Sequence, residues 1–339
     1  MPEMHGHPAD PYERISVVGA GAWGTALASI AAHGGRRVSI WAREPEVVES
    51  INTAHVNAPF LPGIALPASL EATSDLAKAA DAEAILLAAP AQHLRATLDE
   101  LRLHLKPKTP IVLAAKGIET ASGKLVTEVL SDTIPEAEVA ILSGPSFAKD
   151  AARGLPTLVA IAARMEIALR LQATLGAAPS FRPYVSDDIA GVALGGAAKN
   201  VYAIACGMVD GAKLGESARA GLLARSFAEL LRLGAAMDAR SETLMGLSGL
   251  GDLVLTATSM SSRNFALGVA LGSGKRLSDL LAPGKPLAEG VATAPALVAR
   301  GKSHDVELPI AGAVADVLAE KLDLQGAAER LLSRPLTTE

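Results

Sequence analysis

The sequence predicts an α/β domain built on a parallel sheet, followed by a domain made only of helices. Three observations carry this. A short β-branched run, Arg14 to Gly19 (RISVVG), flows directly into the glycine pattern Gly19-x-Gly21-x-x-Gly24 and then into a helical pattern. Apolar runs then alternate with helical patterns as far as Ser186, the signature of βαβ units and of a sheet covered on both faces. After Ser186 the strand patterns stop, and helical periodicity broken by glycine-rich turns takes over. The 339 residues suit two domains: 12–186 as a Rossmann-type dinucleotide-binding domain and 187–339 as a helical substrate domain, with 1–11 a disordered tail.

Composition narrows the classes of function. Half the chain is hydrophobic but only 3% is aromatic, so Ala, Leu, Val and Gly must do the packing. The net charge of −5, from 31 basic and 36 acidic residues, offers no general attraction to nucleic acid. Cys206 is the single cysteine, which excludes an intramolecular disulfide and fits a reducing compartment. It reads best as a small buried hydrophobe. The N-terminal MPEMHGHPADPYER lacks the apolar core of a secretion signal, so a cytoplasmic location is expected. His5 and His7 on such a tail form no metal site, and none is expected elsewhere.

In chain order, the first element is the strand ending at Gly19. Gly19 permits the tight turn, Gly21 lets the backbone approach a pyrophosphate, and Gly24 allows the helix to touch the strand. Ala22 and Trp23 open the helix, whose N-terminal N–H groups and positive dipole favour phosphate. The strand Arg37 to Ala42 ends at Arg43 and Glu44. An acid at that place holds the ribose 2′-hydroxyl of NAD, whereas an arginine accommodates a 2′-phosphate. Arg43 therefore predicts NADPH as the preferred cofactor, with NADH retained by Glu44. Glu44 also suits the start of the next helix, since Pro45 follows it.

The stretch 57–69 holds three prolines and reads as loop. Strand 83–89, helix 91–103, strand 110–115, helix 122–133 and strand 139–143 follow. Strands 157–161 and 181–185 flank a helix over 165–175. Ligands bind at strand carboxyl ends in such sheets, which draws attention to Lys116 and to the segment 144–148. As a plain alternative, Lys116 caps its strand in solvent.

The helical part centres on residues 189–209, IAGVALGGAAKNVYAIACGMV, nearly all apolar or small, with Lys199 and Asn200 in the middle. Its length alone would cross a bilayer. An ammonium at the bilayer centre costs roughly 2.5–3.5 kcal/mol, and no second such run exists, so a packed soluble helix is expected. Gly195 and Gly196 lie one turn before Lys199, the direction in which a helical side chain leans. They imply close approach by another helix or by a small molecule. Further on, Asp252 follows a glycine-rich turn, and Ser262-Arg263-Asn264 opens a helical pattern. Ser262 is a good N-cap, and helix terminus plus guanidinium makes an anion site. Leu287 and Glu289 sit at the start of a later helix, where Glu289 either bonds cofactor hydroxyls or simply favours the helix dipole.

Taken together, GAGAWGTALA, AAKGIE, SGPSFAKD, GVALGGAAKNVYAIACGM, MGLSGLGDL and SSRN resemble the bacterial NAD(P)-dependent glycerol-3-phosphate dehydrogenase family, in order, from about Arg14 to about Ala313. The resemblance implies reduction of dihydroxyacetone phosphate to sn-glycerol 3-phosphate with NADPH or NADH, for glycerophospholipid synthesis. It implies a possible homodimer, with Lys199 as the acid/base residue. By the same resemblance, substrate contacts fall at Lys116, Gly144, Ser146, Lys199, Asp252, Ser262, Arg263 and Asn264. Cofactor contacts fall at Gly19, Gly21, Ala22, Trp23, Gly24, Arg43, Lys116, Ala148, Arg263, Leu287 and Glu289. The sequence departs from the common pattern at Asp150, where Glu is usual, at Ala257 in TAT, and at Phe265-Ala266, where Arg-Arg is common. Two rival readings are a related two-domain dehydrogenase for another hydroxy acid or sugar acid, and a nucleotide-binding module without catalysis.

Overall fold

The computed structural model describes residues 9–280 and 288–335. The chain divides into two compact units: residues up to Ala115 with Val126–Val192 form the first, and Lys116–Leu125 with the chain from Ala193 onward form the second. A single cut at 186 therefore does not describe the division, because ten residues that follow a strand of the first unit pack with the second.

The first unit is organised on an eight-stranded sheet. Its strands are β1 (Arg14–Val18), β2 (Arg37–Trp41), β3 (Leu70–Thr73), β4 (Ala84–Leu87), β5 (Pro110–Leu113), β6 (Glu138–Ser143), β7 (Thr157–Ala163) and β8 (Phe181–Ser186). Their spatial order is 3-2-1-4-5-6-7-8, so the strand sequence reverses beside β1, the switch point where open α/β sheets bind ligands. β4, β5 and most of β1 and β6 are fully buried runs, as expected of strands covered on both faces.

Four sequence expectations need correction. First, β6 and β7 pair antiparallel, although a βαβ reading makes every neighbour parallel. Only the five-residue helix Ala148–Ala152 lies between them. It advances about 7.5 Å, too little to carry the chain back along a six-residue strand of roughly 20 Å. Second, the stretch read as loop contains an antiparallel pair, Val56–Asn57 with Leu61–Ala65, and is followed by the unpredicted β3. The sequence of β3, LEAT, has little strand character. Its outer edge is satisfied by a side chain: Asn52 Nδ2 donates to the Ala72 carbonyl at 3.0 Å, and Ala72 N donates to Asn52 Oδ1 at 2.7 Å. Third, two helices are shorter than expected, Leu94–Leu101 after a 3₁₀ turn and Val126–Thr133. Fourth, the described end of the presumed tail is held: Arg170 Nε donates to the Asp10 carbonyl at 3.0 Å, and Tyr12 is buried.

Among the described residues, the second unit contains helices and a single isolated bridge, Ile118 with Leu125. Its core helix, Ile189–Gly211, begins in the first unit, where the Asp188 carboxylate caps it by accepting from Gly191 N at 2.8 Å. Nine-tenths of its most apolar window is buried. It is a core helix whose composition happens to suit a bilayer. Small residues serve backbone contact there. A Cβ on Gly207 or Gly211 would fall 2.2 or 2.1 Å from the carbonyl oxygens of Phe265 or Val269. A Cβ on Gly268 or Gly272 would fall 2.2 Å from those of Ile204 or Met208. Two pairs of glycines thus face each other across the crossing with helix Arg263–Gly272, which explains how a chain so poor in aromatics packs tightly. Cys206 is buried on this helix, and burial pushes its thiol up to about 12, as befits an inert packing residue.

Candidate active site

In the first unit, the glycine loop meets each demand of a dinucleotide turn. Gly19 has φ +110°, and a Cβ on Gly24 would stand 1.9 Å from the Gly19 carbonyl oxygen. At Gly21, by contrast, a Cβ would meet nothing within 4 Å, so the open side of the turn faces free space. Gly19 N donates to the Trp41 carbonyl at 3.1 Å, which ties the turn to the end of β2 and sets exposed Arg43 two residues beyond that bond. Ala22 and Trp23 form the first turn of helix Ala22–His33. The Trp23 indole Nε1 is shielded from water without a hydrogen-bond partner among the described residues. The open side of the turn at Gly21 and the uncapped N-terminus of the helix, rather than the core-packed Trp23 side chain, fit the phosphates of a dinucleotide.

Gly144, Ser146 and Ala148 follow β6 in the same unit. Gly144 has φ +145°, and its Cβ would lie 2.9 Å from Val159 Cα, so glycine is required there for packing alone. The Ser146 hydroxyl donates to the Gly144 carbonyl at 3.0 Å, and Ala148 begins the short helix that carries Asp150 in its first turn.

The second unit holds the charged cluster. Lys199, 6% exposed, and Asp252, 1% exposed, are joined directly: the Lys199 ammonium donates to Asp252 Oδ1 and, at 3.0 Å, to Thr256 Oγ1. Lys116 Nζ donates to Asp252 Oδ2 at 2.6 Å. One carboxylate therefore bridges two ammoniums. Backbone geometry delivers it there. A short π-helical turn, Leu247–Gly251, runs into helix Asp252–Ala257. Its Ser248 carbonyl lies where a Cβ on Gly195 would come within 2.7 Å. The close approach expected at Gly195 is thus made by protein, and it brings Asp252 opposite Lys199.

Electrostatics follow from burial. Desolvation lowers the Lys199 pKa from 10.5 to about 7; Asp252 works against this and Lys116 adds to it. Burial pushes the Asp252 carboxyl up, but the two ammoniums outweigh it and hold it below the usual carboxylate range. A lysine titrating near neutrality is suited to acid/base work at working pH.

Lys116 reaches the cluster on a strap, Lys116–Leu125. The strap closes on itself through Glu119 N to the Lys124 carbonyl at 2.9 Å and Gly123 N to the Glu119 carbonyl at 2.8 Å. Arg300 Nη1 donates to the Gly123 carbonyl at 3.0 Å, which fastens the strap to helix Glu289–Ser303.

Ser262 caps helix Arg263–Gly272, its Oγ accepting from Phe265 N at 3.2 Å. Arg263 is exposed at the helix start. Asn264 has both ends of its amide engaged: Oδ1 accepts from Gly290 N at 2.9 Å, and Nδ2 donates to Asn200 Oδ1 at 3.0 Å. Only an oxygen can accept from the Gly290 N–H, which fixes the amide's orientation. Asn264 thereby joins the Lys199 helix to the helix begun by Glu289. Phe265, at one of the departures from the common pattern, is buried and belongs to the core. Leu287 lies outside the described residues.

Sequence reasoning missed three participants. Thr256, one helical turn after Asp252, bonds Lys199. Asn200 holds Asn264. Asn57 buttresses the glycine loop. A signal was available for Thr256, in its i+4 spacing from a singled-out acid, and for Asn200, a polar residue in the middle of an apolar stretch.

Comparison with known proteins identifies the family of the chain. The family model described as NAD-dependent glycerol-3-phosphate dehydrogenase N-terminus matches residues 14–168, and its C-terminus counterpart matches 188–329. A protein of Parvibaculum lavamentivorans named glycerol-3-phosphate dehydrogenase (NAD(P)+) is 54% identical over 329 residues, 97% of this chain and 98% of its own length. The crystal structure of a glycerol-3-phosphate dehydrogenase from Coxiella burnetii superposes with a TM-score of 0.90 at 36% identity, covering 95% of this chain and 99% of the other. A ketopantoate reductase from Ralstonia eutropha matches with a TM-score of 0.61 at 16% identity, over 94% and 99% of the two chains. That last likeness is one of fold alone.

Proposed function

The chain belongs to the NAD-dependent glycerol-3-phosphate dehydrogenase family, and from that premise we propose how its residues divide the work. It catalyses the reversible reduction of dihydroxyacetone phosphate to sn-glycerol 3-phosphate with NADPH or NADH, for glycerophospholipid synthesis. The readings as a hydroxy-acid dehydrogenase or a non-catalytic module are not favoured. The observation that carries the assignment of roles is the buried Lys199–Asp252–Lys116 cluster.

A bound reduced nicotinamide supplies the hydride. As the ketone carbon accepts it, negative charge builds on the oxygen, and Lys199 as ammonium donates a proton to that oxygen. Lys116 leaves the cluster with a net positive charge, which favours the developing alkoxide before the proton arrives. Asp252 holds both amines in place and keeps Lys199 protonated to a higher pH than burial alone would allow. In the reverse direction Lys199 as free amine takes the hydroxyl proton. Arg263 and the helix terminus capped by Ser262 hold the substrate phosphate, using remote binding energy to orient the carbonyl. Asn264 positions these groups through Asn200 and Gly290, and Glu289 serves the cofactor from the same helix start. Gly144, Ser146 and Ala148 complete the contacts. The protein works in the cytoplasm as a homodimer.

Wild-type protein should oxidise NADPH readily with dihydroxyacetone phosphate and poorly with unphosphorylated dihydroxyacetone. Arg263→Ala should raise the KM for the phosphorylated ketone about 10- to 100-fold, the worth of a charge-assisted bond, with kcat within a few-fold. An unchanged KM removes Arg263 from the phosphate site.

Arg43 supports NADPH as the favoured cofactor. Arg43→Ala should reduce the ratio of NADPH to NADH efficiency by about tenfold or more, measured as kcat/KM for each at fixed substrate. An unchanged ratio refutes the role.

A further inference from the structure

We propose that Asn57 is a positioning residue for pyrophosphate binding: its side chain fixes the direction of a backbone N–H in the glycine loop. This rests on the dinucleotide reading of that loop.

Asn57 is completely buried, in the segment where three prolines had suggested only loop. Its Nδ2 donates to the Ala20 carbonyl at 2.8 Å and to Thr25 Oγ1 at 2.7 Å, and Thr25 Oγ1 donates to the same carbonyl at 3.2 Å. Ala20 stands between Gly19 and Gly21. Its carbonyl oxygen is therefore drawn inward by two buried donors at once.

A trans peptide is planar, with C=O and the following N–H pointing in opposite directions. Holding the Ala20 oxygen inward holds the Gly21 N–H outward. A Cβ at Gly21 would meet nothing within 4 Å, so the loop is open at the residue whose N–H is so directed. The same peptide could otherwise rotate about ψ of Ala20 and φ of Gly21, and Gly21, having no Cβ, puts few steric limits on that φ. With the plane reversed, the oxygen would face the phosphate and repel it. Asn57 selects between these two arrangements without touching the ligand.

Only an amide or a similar donor serves. In Asn57→Asp an ionised carboxylate accepts but cannot donate, so the Ala20 carbonyl would face a like partial charge. In Asn57→Leu the shape is roughly kept and the donor lost. Thr25→Val removes one of the two donors and leaves the other.

The test compares wild type, Asn57→Leu, Asn57→Asp and Thr25→Val for binding of NADPH, by its fluorescence, and of adenosine 2′-monophosphate, which lacks the pyrophosphate, by displacement. Asn57→Leu should weaken NADPH about 10- to 100-fold and adenosine 2′-monophosphate less than threefold. Asn57→Asp should be at least as weak for NADPH, and Thr25→Val intermediate. With saturating NADPH, kcat should recover and the KM for dihydroxyacetone phosphate should be unmoved. If Asn57→Leu lowers the melting temperature while NADPH affinity is unchanged, or weakens both ligands equally, Asn57 is only a packing residue and the proposal falls. Should an Asn57 variant fail to fold, Thr25→Val decides by the same ratio of affinities. Failure of the wild type to bind NADPH would instead overturn the dinucleotide reading itself.

Discussion

Lys199→Met is expected to lower the turnover number for reduction by about 10²- to 10⁴-fold, the usual contribution of a positioned acid. NADPH affinity should stay within a factor of two. The substitution suits the question because methionine fills much of the same volume and adds no buried charge. Lys116 remains to pair with Asp252, so the carboxylate is not stranded. Unchanged NADPH affinity in the same sample excludes unfolding as the cause. Single-turnover NADPH oxidation, read with a fluorescence titration of NADPH, separates chemistry from binding. Turnover within tenfold of wild type would take the proton-transfer role away from Lys199.

Asp252→Asn should change the pH dependence as well as the rate. On the proposed mechanism, wild-type reduction needs the Lys199 ammonium, which is present below about 7 and lost as pH rises through that value. Oxidation of glycerol 3-phosphate needs the free amine and should rise through the same range. Asp252 is the charge that raises the lysine's pKa against burial. Without it, burial and Lys116 act unopposed, and the ammonium survives only at lower pH. The basic limb of kcat/KM for reduction, which reports free-enzyme ionisation, should move to lower pH by at least about one unit, since a close opposite charge is worth 1–3. At pH 8 the loss should exceed that at pH 6. Breaking a buried ion pair also costs about 3–5 kcal/mol of stability, part of which is relieved as Lys199 sheds its proton. A rate that falls equally at every pH would mean that Asp252 shapes the site without tuning Lys199.

Local rules made much of this legible in advance. The strand-turn-helix placement of Gly19, Gly21 and Gly24 reads directly as geometry: Gly19 takes the positive φ of the turn, Gly24 stands against the Gly19 carbonyl, and Gly21 leaves the turn open. Lys199 stood out as one ammonium in an apolar helix, a conflict that burial with a partner resolves. The partner itself was less legible. That Asp252 would join Lys116 to Lys199 depends on contacts 53 and 136 residues apart in sequence, which no periodicity reports. Nor does composition reveal that Lys116–Leu125 packs with the second unit, since bonds such as Lys116 to Asp252 and Arg300 to the Gly123 carbonyl join residues far apart in sequence. The strand Leu70–Thr73 escaped because LEAT has little β-branched character, while the Asn52 amide, distant in sequence, satisfies the backbone at its edge. Asn57 was hidden by the prolines around it, which predict turns well and say nothing about a buried amide.

The most direct measurement is carbon-13 NMR of the whole protein labelled at lysine Cε, titrated from pH 5 to 11, with Lys199→Met to assign the signal. One resonance should titrate with a midpoint near 7, set by burial and Lys116 against Asp252, and should be missing from the variant. A Lys199 resonance that titrates near the ordinary 10.5 would mean that the amine is neither desolvated nor tuned, and the proton-transfer chemistry assigned to it would have to be given up.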